Sequence, residues 1–119
     1  MIIIGFCKKT SKIIHKILCR KFNHVAPIVK KGNHLEMWQF IRKNHIYIIP
    51  LKMRDLKILT NYGWDFIVIK IPVFEVSDIT AVCTCVGMTK RFVGIKNWRI
   101  QTPNALYKKL ISDGHNIWK

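Results

Sequence analysis

An α+β fold is what this 119-residue chain predicts: one antiparallel sheet of about four to five strands with helices packed against it. Three observations carry that prediction. From Phe22 to Ile71 the chain runs as short β-branched and aromatic stretches separated by Gly, Pro and Asn. From Thr84 onward the apolar positions change to helical spacing. Strands and helices are therefore grouped rather than interleaved, as expected when helices cover an antiparallel sheet.

Taken in order, Met1 to Phe6 reads as a short buried strand or an apolar lead-in. Thr10 to Arg20 carries Ile13, Ile14, Ile17 and Leu18 at helical spacing, with Lys12, His15, Lys16 and Arg20 opposite, which predicts an amphipathic basic helix. Phe22 to Val29 and His34 to Phe40 form two strands around Lys30-Lys31-Gly32-Asn33. A two-residue turn at Lys31-Gly32 would set Gln39 directly opposite His24. Asn44 to Ile49 is a further strand, expected to stop at Pro50. Met53 to Leu59 is a short helix ending near Gly63, and Asp65 to Ile71 is the most β-branched strand. Cys85, Met88, Thr89, Phe92 and Val93 then mark a helix closed by Gly94. Thr102-Pro103 starts the last helix, a capping hydroxyl followed by proline at the first helical position.

Residues 1–119 make one domain. Half the residues are hydrophobic, enough for a core and against disorder. No apolar run approaches the roughly 18 residues that span a bilayer, so no transmembrane segment is expected. Met1 to Cys7 lacks the charged lead and small-residue cleavage site of a signal peptide, which points to the cytoplasm. Lysine and arginine number 21 against 6 acids, for a net charge of +15. Such an excess suits nucleic acid or an anionic membrane surface as partner. The basic residues are spread along the chain, however, amid abundant Ile, Lys and Asn, which equally fits an AT-rich genome. The four cysteines, at 7, 19, 83 and 85, include a C-x-C rather than the C-x-x-C of a zinc knuckle. Free thiols and no metal or organic cofactor are expected.

Cys85 lies at the first turn of its helix, with Thr84 before it as cap. Backbone N–H groups and the helix dipole favour an anion there, so the thiol pKa is expected to fall, and the same amides could form an oxyanion hole. The competing reading is a buried helix cysteine. His24 opens a strand, and Gln39 on the next strand can fix its tautomer and orientation. Glu36 and Asp78 are rival orienters, Glu36 being on the other face of its strand from Gln39. The histidines at 15, 34, 45 and 115 read as surface or structural. Trp64 or Trp98 could line a substrate groove.

The stretches Phe22-Asn23-His24-Val25-Ala26, Cys85 to Ile95 (CVGMTKRFVGI) and Thr102-Pro103-Asn104-Ala105-Leu106-Tyr107 are similar to permuted papain-like cysteine hydrolases. That superfamily includes bacterial cell-wall endopeptidases and lecithin–retinol acyltransferases, and the second stretch resembles its small, often phage-encoded members. The resemblance implies a papain-like fold with histidine before cysteine, Cys85 as nucleophile, His24 as base and Gln39 as polar orienter, where many members carry an acidic residue. It supplies no substrate; an acyl, peptide or lipid-like one is expected. A phage origin would place the protein in the host cell or virion. The rival functions are a non-catalytic basic module that binds nucleic acid and a phage structural or interaction protein.

Overall fold

The computed structural model describes residues 2–8, 24–42, 45–70, 84–95 and 99–118. The expected basic helix from Thr10 to Arg20, Cys19, Asp78, Cys83 and Trp98 lie outside them. The described elements are β1 (Ile2–Cys7), β2 (His24–Lys31), β3 (His34–Arg42), β4 (His45–Leu51), α1 (Met53–Asn61), β5 (Trp64–Ile69), α2 (Cys85–Val93), α3 (Pro103–Ser112) and β6 (Asn116–Ile117). The class is α+β. Among the described residues the sheet has six strands in the order β4-β3-β2-β1-β5-β6, every neighbouring pair antiparallel, more strands than expected.

Side-chain alternation along the strands gives the sheet two apolar faces. Ile2, Ile4, Phe6, Val25, Val29, Ile67 and Ile69 project to one face. There they pack against Val86, Met88 and Phe92 of α2 and Leu106 and Leu110 of α3. Ile3, Ala26, Ile28, Leu35, Met37 and Phe66 project to the other, under Leu56 of α1. The helices thus cover both sides of the sheet. Helix α1 carries the chain across the second face from β4 to β5, so β5 joins β1 instead of extending the meander past β4.

Local chemistry explains most element ends. Thr84 Oγ1 accepts from the Gly87 N–H at 2.9 Å and Thr102 Oγ1 from the Ala105 N–H at 3.1 Å. Each hydroxyl satisfies a donor that the first helical turn leaves without an intrahelical partner. Gly94 ends α2 with φ of 72°, a left-handed conformation that glycine adopts without a Cβ clash. Two expectations need correction. Strand β4 runs through Pro50 to Leu51, with Pro50 opposite Glu36. An edge strand tolerates proline when the nitrogen faces away from the ladder, so proline does not stop it here. The turn falls at Gly32-Asn33, where Gly32 has φ of 59°, and Ile28 pairs with Met37. Gln39 is therefore not directly opposite His24. Continuing that register sets it level with Ala26, one diagonal step away. The displacement is even, so Gln39 keeps the face of β3 that corresponds to His24.

The turn also fixes the hydrogen-bond phase of the sheet. In a two-residue hairpin the flanking pair, Lys31 and His34, is hydrogen-bonded, and alternate residues of β2 then turn their backbone groups toward β3. Those residues are Val29, Pro27 and Val25. Pro27 has no N–H to give, and the β2–β3 ladder spans only Ile28–Lys31 with His34–Met37. Beyond it β2 is paired, among the described residues, with β1 alone, all the way to His24. The Val25 N–H is thereby turned toward a gap between β2 and β3.

Candidate active site

His24 stands at this open end. Its Nε2 lies 2.5 Å from Gln39 Oε1. An amide oxygen can only accept, so Nε2 carries a proton, and in the neutral ring Nδ1 is the lone-pair nitrogen. The other end of the amide is also held, since Gln39 Nε2 donates to Met37 Sδ at 2.9 Å. Of the rival orienters, Glu36 instead lies 3.8 Å from His34 across an exposed surface. Trp64 meets the His24 ring edge-on, with centroids 6.1 Å apart, and stacks on Phe66. Gly5 makes room for that stack: a Cβ there would lie 3.0 Å from both the Trp64 and Phe66 rings. The imidazole is thus bounded by an amide on one side and an indole on the other.

Cys85 is the first residue of α2, a free, partly buried thiol packed on the face that carries Val25 and Phe6. Burial pushes its pKa up. The N–H groups of Val25, Val86 and Cys85 itself pull in the opposite direction and only partly offset the desolvation. The expected lowering is therefore corrected. The helix N-terminus supplies the amides as anticipated, but removal of the sulfur from water outweighs them. The Val25 amide is the one freed by the lost β2–β3 pairing. It brings the sulfur to the residue next to His24. Thr89 Oγ1 donates to the Cys85 carbonyl at 2.9 Å inside the helix.

Of the three residues singled out in the sequence, the structure joins His24 to Gln39 by a hydrogen bond. It brings Cys85 to the neighbouring backbone at Val25. Strand alternation directs His24 to the face of Ala26 and Ile28, whereas Cys85 approaches from the face of Val25. The gap between β2 and β3 lies between them. Sequence reasoning did not single out Cys7, which is directly opposite both His24 and Trp64 in the sheet. Its only sequence signal was its place at the end of an apolar strand. Among the described residues, no group of three or more His, Cys, Asp or Glu could hold a metal ion, and no helix is long and apolar enough to cross a membrane. No family model, curated protein or solved structure matches the chain.

Proposed function

We propose that the protein is a cysteine hydrolase or acyltransferase of the permuted papain-like kind, acting on an amide, thioester or ester. The observation that supports this reading is an imidazole held by Gln39 at His24, one residue from the Val25 amide that acts on the helix-N-terminal thiol of Cys85. Nε2 is occupied by the amide, which leaves Nδ1 as the base. It takes the Cys85 proton across the gap, directly or through one water. The sulfur bonds to the carbonyl carbon, and the amides of Cys85 and Val86 can receive the oxyanion. Collapse breaks the bond to the leaving nitrogen, oxygen or sulfur, which receives the proton back from His24. Water or another acceptor, deprotonated by the same nitrogen, then attacks the acyl-enzyme and restores the thiol.

The raised thiol pKa shapes this mechanism. Cys85 is a neutral thiol at rest and becomes nucleophilic as His24 removes its proton, in contrast to a preformed thiolate–imidazolium pair. The resemblance of the three sequence stretches supports the same residues in the same roles. The test is turnover of a panel of activated esters, acyl thioesters and peptide anilides by wild type, Cys85→Ser and His24→Ala. Turnover of at least one class by wild type alone is expected. Equal rates in all three proteins would overturn the proposal.

A further inference from the structure

Cys85 and His24 approach the gap from opposite faces of the sheet, whereas Cys7 shares the face of His24. On β1 it follows Ile3 and Gly5 at two-residue steps, and Ile3 packs under Leu56 of α1 together with Ala26 and Ile28. His24 belongs to that same side of β2. Cys7 is half-buried, directly opposite His24 on one neighbouring strand and Trp64 on the other. The Trp64 ring reaches across β1 to meet the His24 ring edge-on, so Cys7 stands between an imidazole and an indole. Gln39, on the corresponding face of β3, holds the far side of that imidazole.

The hydrogen-bond phase of the sheet supplies a distance scale. Val29, Pro27 and Val25 turn their backbone groups toward β3, so Ile28, Ala26 and His24 turn theirs toward β1. Cys7 and His24 are therefore a hydrogen-bonded pair, and the Cβ atoms of such a pair lie about 5.5 Å apart. Sγ branches directly from one Cβ and Nδ1 from the carbon beyond the other, so a thiol–imidazole hydrogen bond fits the remaining span. Nε2 is engaged by Gln39, which makes Nδ1 the nitrogen that Cys7 meets. Nucleophile, base and orienter thus occupy three consecutive strands on one face.

We infer that Cys7, His24 and Gln39 form a thiol–imidazole–amide set of their own, which exchanges with low-molecular-weight disulfides. Nδ1 takes the Cys7 proton as Sγ bonds to one sulfur of the disulfide. The S–S bond of the reagent breaks, and the departing sulfur receives the proton from His24 and leaves as a thiol. Cys7 is oxidised to a mixed disulfide and the departing sulfur is reduced, with no further reactant. Exchange develops no oxyanion and needs no donors to receive one. The amides suited to that task belong to the start of α2, on the side of Cys85, so Cys7 takes disulfides and acyl groups fall to Cys85. Burial, which raises the Cys85 pKa, also makes that thiol the slower of the two toward a disulfide. This division of labour rests on Cys85 being the acyl nucleophile; the exchange at Cys7 does not.

Oxidised glutathione is the probe. The full chain is mixed with it near neutral pH, quenched in acid, digested and mapped by mass spectrometry, with the glutathionyl group followed at each cysteine. Cys7 is expected to react first in the folded protein, about tenfold faster than in the same chain unfolded in urea. Exposure alone cannot make a folded thiol outrun its unfolded form, and this comparison needs no variant. His24→Ala should abolish the acceleration, Gln39→Leu should remove most of it, and Gln39→Glu should restore it. Cys85→Ser should leave it unchanged, and that result supports the Cys7 set even where no acyl group forms on Cys85, which separates it from the hydrolase reading. Exchange at Cys7 no faster in the folded than in the unfolded chain would overturn the inference. So would an acceleration that persists in a His24→Ala protein whose unfolding midpoint matches that of wild type.

Discussion

At Ile28 and Val29, strand β2 is paired on both sides; from His24 to Pro27 it is paired, among the described residues, only with β1. The same strand therefore has a closed end and an open end, divided at a proline that cannot donate to β3. At the closed end Ile28 and Val29 are buried and help bind the two faces into cores. At the open end a backbone amide and an imidazole turn to other partners, namely the Cys85 sulfur and the Gln39 amide. Interrupting a ladder costs sheet hydrogen bonds but releases directional groups for chemistry. Such groups are seldom left without partners inside a fold. Substitutions at the two ends should accordingly separate stability from reactivity.

The largest separation is expected at His24. His24→Ala should slow acylation of Cys85 by about 10²- to 10⁴-fold, the usual contribution of a positioned base. Its unfolding midpoint in denaturant should stay near that of wild type. Comparable losses of rate and stability would show that the open end is structural.

Ile28→Ala tests the opposite end. Its side chain is 1% exposed in the core beneath α1, and truncation should cost about 2–5 kcal/mol of unfolding free energy. Acylation per folded molecule should remain unchanged. A fall in the intrinsic rate would mean that the two ends are coupled through the strand.

Gln39 provides a finer distinction. Gln39→Leu keeps the side-chain bulk but removes the acceptor for His24 Nε2, and should reduce acylation about 10- to 100-fold. Gln39→Glu retains an acceptor and should recover most of that loss. If Glu and Leu behave alike in rate assays, Gln39 does not position the imidazole.

The smallest effect follows from the buried thiol. Burial raises the Cys85 pKa, so the folded protein holds this proton more tightly than the unfolded chain does. The stabilisation is fully present below the ordinary thiol value of about 8.5 and is lost as pH climbs through the raised folded value. Stability of wild type relative to Cys85→Ser should therefore decline on going alkaline from about pH 8.5. Paired denaturant titrations measure it, and a difference that grows with pH would reverse the assigned sign.

Features fixed by neighbouring residues were the most legible in the sequence. Thr84, Gly94 and Thr102-Pro103 mark helix ends through contacts within one turn, and those ends fall where expected. Gln39 keeps the face of His24 despite the displaced turn because the displacement is even, though it loses the directly opposite position. The continuation of β4 past Pro50 was hidden because it depends on β4 being an edge, which is a property of the whole sheet. Two-residue β6 is too short to show a period. The upward shift at Cys85 was illegible for a related reason: amides at a helix start can be read locally, whereas desolvation by the opposing sheet cannot. Cys7 became a neighbour of His24 only through β1–β2 pairing.

The most direct measurement is the location of the covalent intermediate. Wild-type protein is mixed with an activated aryl ester, quenched in acid, digested and mapped by mass spectrometry, alongside Cys85→Ala and His24→Ala. The expected result is one hydroxylamine-sensitive acyl group on the Cys85 sulfur, absent from Cys85→Ala and formed much more slowly in His24→Ala. An acyl group on Cys7 or scattered over lysines, with Cys85 unmodified, would contradict the assignment, as would acylation of Cys85 at an undiminished rate without His24.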